Sequence, residues 1–138
     1  MAAQILIRLG VAALIGFIIG YLSWAKNIRV FILIALGSAL VTITSAEFFK
    51  LLDLPWYADP GRLAAQIIAA LGFIGTGLIW ISEKSEVKGL PIAASLWVTA
   101  ILGMVTGIAK AEIIAAIVFM VLLFNLLSIW KFRVKRKI

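Results

Sequence analysis

The chain has 138 residues, 64% of them hydrophobic and only 14% charged, far from the roughly 25% charged residues of water-soluble domains. It holds neither cysteine nor histidine, which removes disulfides, thiolate chemistry, the commonest metal ligand and the usual proton shuttle near neutral pH. The formal charge of +7 is concentrated in the final segment, residues 131–138, and on an otherwise lipid-soluble chain it is no nucleic-acid footprint.

Apolar runs of about 20 residues recur, each long enough to cross a hydrocarbon core of about 30 Å. They predict an all-α integral membrane protein, a compact bundle of five transmembrane helices. The first runs from about Ala3 to Trp24. It is too long for the apolar region of a signal peptide, and Gly16 and Gly20 form a GxxxG suited to close helix contact. A polar break at Lys26–Arg29 leads to the second helix, about Val30 to Phe49, where Ser38, Thr42 and Ser45 share a face. Such hydroxyls most often bond their own preceding carbonyls. Asp53, Pro55, Trp56 and Tyr57 then read as an interfacial loop.

The stretch Asp59–Gly77, DPGRLAAQIIAALGFIGTG, opens the third helix, expected from about Pro60 to Ile81. Asp59 suits the N-cap and Pro60 the first helical position. Arg62, Gln66, Phe73 and Gly77 fall on one stripe, and Ala65, Ala69, Gly72 and Thr76 on a second, small-residue stripe. Small stripes admit a second backbone where lipid supplies no hydrophobic drive, so this segment, with Gly72, Gly75 and Gly77, reads as the central packing helix. Asp59 at i−3 and Gln66 at i+4 stand within reach of Arg62. The three are expected to form one polar network, with Ser95 or Trp97 on the facing helix.

Glu83, Lys84, Glu86 and Lys88 read as a solvated loop of alternating charge. The fourth helix, about Pro91 to Ile108, carries Ser95, Thr99 and Thr106 near one side and a second GxxxG at Gly103 and Gly107. The fifth runs from about Glu112 to Trp130, with Asn125 as a lone amide, and a basic cytoplasmic tail closes the chain over 131–138. Trp24, Trp56, Trp80 and Trp130 sit at expected helix boundaries, as membrane-interface aromatics do; Trp97 is the exception.

Two of these stretches carry a resemblance. DPGRLAAQIIAALGFIGTG, followed by GLPIAASLWVTAILG, resembles the membrane domain of the MgtC/SapB family of bacterial inner-membrane proteins. Asp59, Pro60, Arg62, Gln66, Gly72, Phe73, Gly75 and Gly77 match its first block; Gly89, Leu90, Ala93, Ala94, Ser95, Leu96 and Trp97 match its second. The chain departs from the family pattern at Tyr21–Trp24, where a Glu-Arg pair is usual, at Asn27–Val30, where Gly-Leu-Arg-Thr is usual, and at Ala70, which replaces a glycine. Many members also carry a cytoplasmic C-terminal domain, whereas this chain ends in its basic tail.

The resemblance implies a protein of the bacterial cytoplasmic membrane tied to survival at low magnesium and, in pathogens, to virulence. It implies action on membrane ATP synthase or on magnesium transport systems more than a Mg²⁺ channel. The residues point the same way. Mg²⁺ is usually held by one or two carboxylates within octahedral oxygen coordination. Here Asp53, Asp59, Glu83, Glu86 and Glu112 lie in loops or at helix ends, and Glu47 lies near one. A regulatory or interaction protein is therefore the leading expectation. The alternative is a small oligomeric transporter or channel, with a path lined by Arg62, Gln66, Ser95 and Thr99. No cofactor is expected, and an enzyme is the least supported class, because no nucleophile–base pair or metal set assembles without His or Cys. The expected partners are the bilayer (anionic lipid at the basic tail), a second copy in a homodimer joined through the glycine pairs, and a membrane protein such as ATP synthase or a magnesium transporter.

With five crossings the termini lie on opposite sides. An inward C-terminus puts Lys26, Arg29, Lys84, Lys88 and the five basic tail residues inside and leaves Arg8, Lys50, Arg62 and Lys110 outside, which satisfies the positive-inside rule. A reporter fused after Ile138 is accordingly expected to read cytoplasmic, and one placed before Met1 external. Cytoplasmic signals at both ends would remove one of the five helices.

Overall fold

Close backbone contact, made possible by small residues, organises the helices. In this computed structural model the described residues are 2–23, 26–52, 59 and 61–108, together with 113, 115, 117 and 119. Met1–Ile108 form one compact unit and Ala109–Ile138 a second. The elements are α1 (Ala2–Leu22), α2 (Ile28–Leu51), α3 (Arg62–Gly77), β1 (Trp80–Ile81), β2 (Val87–Lys88) and α4 (Leu90–Ile108). In the second unit Ile113, Ala115, Ile117 and Phe119 are helical; the remainder of the expected fifth helix, the basic tail and the Asp53–Ala58 loop lie outside the described residues.

α2 is the shared partner: α1 and α4 both pack along it and against each other, and α3 rests mainly on α4. The reason is in the sequence of α2, where Ala35, Ser38, Ala39, Thr42 and Ser45 recur at helical spacing and are all buried. Glycines on the neighbouring helices meet that face. A Cβ on Gly16 would stand 2.6 Å from the Phe31 carbonyl oxygen and 2.8 Å from the Ile32 Cα, and one on Gly20 would stand 3.1 Å from the Phe31 Cβ. On α4, a Cβ on Gly103 would run into the Ala35 carbonyl, and one on Gly107 would lie 2.8 Å from the Ala39 oxygen. These pairings set α1 antiparallel to α2, and α4 parallel to it. The two GxxxG pairs on which a homodimer was expected thus face α2 within the chain.

Phe31, Ile15 and Leu96 are buried as in any core, but the small polar and the bulky apolar residues are otherwise placed unlike those of a protein in water. Ser38, Thr42, Ser45, Thr99 and Thr106 are buried, whereas Leu6, Ile7, Leu33, Tyr21 and Phe73 point outward. Small and hydroxylated residues inside with bulky apolar ones outside is the arrangement that lipid favours, since lipid solvates Leu as well as a protein core does. α1, α2 and α4 are each long and apolar enough to cross a membrane. The buried hydroxyls of Thr42 and Thr106 are satisfied locally: Thr42 Oγ1 donates to the Ser38 carbonyl at 2.8 Å and Thr106 Oγ1 to that of Gly103 at 2.7 Å.

Three expectations about the third segment are corrected. Among the described helices it is not the central one: Leu71 is its one buried residue among those described, and Phe73 is 83% exposed. It begins at Arg62 rather than Pro60, with Gly61 in the N-cap position and no side-chain cap. The Asp59 carboxylate instead accepts the Gly61 N–H at 2.7 Å, an Asx turn that competes with capping. The helix also stops at Gly77. Three glycines in its last turns weaken it, and Leu78 and Ile79 N–H groups close tighter bonds to the Gly75 and Thr76 carbonyls, as frayed helix ends do.

Beyond it, the expected helix end and solvated loop are one β-hairpin. Trp80 pairs with Lys88 and Ile81 with Val87. Ser82 N–H donates to the Glu86 carbonyl and Ser85 N–H to that of Ser82, each at 2.9 Å. Gly89 (φ +85°) turns the chain into α4, and any Cβ there would strike the Leu78 carbonyl.

Because a forced backbone shift in a packed interior costs about 1–3 kcal/mol, Gly16→Ala and Gly103→Ala are each expected to lower thermal stability in detergent. Gly10→Ala, where an added Cβ meets nothing within 4 Å, is expected to leave it unchanged or slightly raised. Equal melting temperatures for all three variants would contradict the backbone contacts.

Candidate functional site

Asp59, Arg62 and Gln66 lie together at the start of α3, all exposed. The Asp59 backbone carbonyl accepts the Arg62 N–H at 3.4 Å, and its carboxylate is turned to Gly61. Among the described residues, no ion pair or side-chain hydrogen bond joins Asp59, Arg62 and Gln66. The one ion pair among the described residues is Lys50–Glu47, at 2.9 Å on α2. The cluster is therefore an outward-facing cation and amide over a tight Asx turn.

Ser95, Trp97 and Thr99 lie elsewhere. α3 and α4 meet where a Cβ on Gly75 would stand 3.9 Å from the Ala93 Cβ. Arg62 lies about 20 Å back along α3 from that point at 1.5 Å per residue, whereas Ser95 is about 3 Å past it along α4. The facing pair is thus at the level of the α3 C-terminus, away from Arg62. Ser95 Oγ donates to the Pro91 carbonyl at 2.9 Å and Thr99 Oγ1 to the Ser95 carbonyl at 2.7 Å. Thr99 is fully buried, and Trp97 is half-exposed. Of the expected packing glycines on α3, Gly75 meets Ala93, while a Cβ on Gly72 or Gly77 would touch nothing among the described residues.

One residue that the sequence pattern marks only as an external charge has a specific partner. The Arg8 guanidinium donates to the Gly107 carbonyl at 2.7 Å, across from α1 to the last turn of α4. A half-buried cation there makes a charge-assisted bond. The signal is present in the sequence, since an arginine about 9 Å inside an apolar helix (six residues at 1.5 Å each) requires a partner. Among the described residues no three acids or other metal-binding side chains gather.

A family model described as MgtC family matches residues 9–134. The chain belongs to the MgtC family. It is 40% identical over 119 residues to the Escherichia coli K12 protein named "Putative magnesium transporter YhiD", covering 82% of this chain and 55% of that one. It is 36% identical over 115 residues to Protein SapB of Bacillus subtilis strain 168, covering 75% and 47% respectively. Against Protein MgtC of Salmonella typhimurium strain 14028s the identity is 32% over 124 residues, covering 88% and 51%. The chain spans about half the length of these curated relatives. No solved structure matches it.

The MgtC-family match takes in the Asp59–Gln66 cluster, the α4 block and both GxxxG pairs, and it begins one residue after Arg8. Hydrogen bonds to charged groups contribute about 1.5–3 kcal/mol, so Arg8→Met is expected to lower thermal stability in detergent by about that amount. Arg8→Lys, which keeps the charge and one donor, is expected to recover part of the loss. A wild-type melting temperature in Arg8→Met would show that the bond contributes nothing.

Proposed function

We propose that this MgtC-family chain is a regulatory or interaction protein of the bacterial cytoplasmic membrane, linked to magnesium homeostasis, that acts by docking a second membrane protein. The observation that carries this reading is the placement of Arg62 and Gln66, exposed on the peripheral helix α3. A cation and an amide turned outward from an apolar helix suit recognition by a neighbour, since interhelical hydrogen bonds are the available adhesive between membrane helices. ATP synthase or a magnesium transporter is the class of partner in view. The reading includes five crossings with the C-terminus inside, and no catalytic role.

The alternative is transport, favoured by the name of the E. coli relative. Against it, the α1–α2–α4 seams are filled by glycine, alanine and back-bonded hydroxyls. Two hollows of about 500 and 520 Å³ lie at the C-terminal end of α2 and at the hairpin, not along those seams.

Arg62→Ala and Gln66→Ala are expected to abolish growth support at low magnesium and co-purification with the partner, at unchanged membrane levels. Asp59→Ala is expected to act more weakly, through fraying of the α3 start. Mg²⁺ flux into liposomes holding the purified chain alone, lost in Arg62→Ala, would overturn the docking reading in favour of transport.

A further inference from the structure

The hairpin between α3 and α4 has a composition and position that a solvated loop does not explain. All four strand residues are exposed, Ile81 by 74%, Val87 by 59% and Trp80 by 56%. Directly opposed residues of an antiparallel pair share a face. Ile81 and Val87 therefore make one apolar face, and Trp80 with Lys88 the other. The second face is turned to the helix junction, where the Trp80 ring lies 3.0 Å from the position of a Gly89 Cβ. The first is left open.

Two further observations say what covers it. α3 has 16 residues, about 24 Å of helix, and falls short of a hydrocarbon core of about 30 Å. The chain that follows, Leu78-Ile79-Trp80-Ile81, stays apolar past the helix end. The hairpin is also continuous with outward apolar surface on α4, where Leu90 is 54% and Ile92 37% exposed. Backbone outside a helix is tolerated near lipid only when its polar groups are paired internally. The ladder and the Ser82–Glu86 bonds pair the inward groups of this backbone, and its two open edges confine it to the hydrated interface rather than the hydrocarbon. Lys84 and Lys88 join Lys26 and Arg29 at this end of the unit, against Glu83 and Glu86, leaving a cationic excess.

We propose that the β1–β2 hairpin is a membrane-interface contact, with its Ile81–Val87 face seated at the headgroup–acyl boundary and Lys84, in the connecting turn, reaching lipid phosphates. Its corner is fixed by Gly89, so the contact sets the depth of the α3 end and of the α4 start together. Long lysine side chains suit this role, because the stem lies on apolar surface while the ammonium stays wet.

The absence of cysteine allows a single thiol to be placed cleanly. The full chain carrying Ile81→Cys, Val87→Cys or Glu83→Cys is labelled with an environment-sensitive fluorophore in nanodiscs of phosphatidylethanolamine and phosphatidylglycerol. Brominated lipids are expected to quench the labels at 81 and 87 several-fold more than aqueous iodide does, with the order reversed at 83. The side chains replaced at 81 and 87 are mostly exposed, so neither change opens a cavity, and the two positions give independent readings. Iodide reaching 81 and 87 as freely as 83 would overturn the proposal by placing the hairpin in water. Protection of both positions from both quenchers would overturn it by placing another protein on that face.

Discussion

Everything described in the first unit depends on how closely backbones can approach α2. Between membrane helices there is no hydrophobic gain, because lipid tails are as apolar as leucine, and association rests on van der Waals contact and interhelical polar bonds. Gly16, Gly103 and Gly107 remove the side chains that would hold α1 and α4 away, and Ala35 and Ala39 keep the α2 side low. The resulting contacts reach main-chain atoms. Once the seam is this tight, threonines such as Thr42 and Thr106 bond back to their own helices, and many bulky residues are left for the outer surface while Phe31 and Ile15 fill the interior.

Arg8 follows from the same geometry. Only because α1 and α4 both lie against α2, antiparallel to each other, does the guanidinium reach the carbonyl of Gly107. The bond gives a partner to a cation that is costly in an apolar setting. A polar contact between α1 and α4 thus adds to an assembly in which small residues bring the backbones together.

α3 stands apart because, of its three glycines, only Gly75 meets a neighbouring helix among the described residues. Its glycines shorten it, its first turn is set by Asp59 rather than by a capped helix, and its polar side chains look outward. The first of the two blocks that carry the family resemblance therefore lies largely on a peripheral helix, while the second opens the core helix α4. That separation of stable core from exposed motif is what directs attention to recognition at Arg62 and Gln66.

Much of this architecture is legible in the amino-acid order. The spans expected at Ala3–Trp24, Val30–Phe49 and Pro91–Ile108 agree closely with α1, α2 and α4, since length and continuous apolarity alone mark a helix that crosses lipid. The grouping of Asp59, Arg62 and Gln66 at one helix start is likewise readable from spacing, as is the family from its two motif blocks. What chain order and composition leave open is which small-residue stripe meets which. Stripes on α1, α2, α3 and α4 look alike in sequence, and only three-dimensional packing assigns the central place to α2 and leaves that of α3 exposed. The hairpin is hidden for a related reason: Leu78–Ile81 is apolar enough to extend a helix, and the pairing of Trp80 with Lys88 is a contact between segments. The sequence by itself determined the membrane class, the long spans and the family, because these depend on local composition and spacing. The hub, the Arg8–Gly107 bond and the separation of Arg62 from Ser95 were decided by tertiary structure, because each depends on the register between helices distant in the chain.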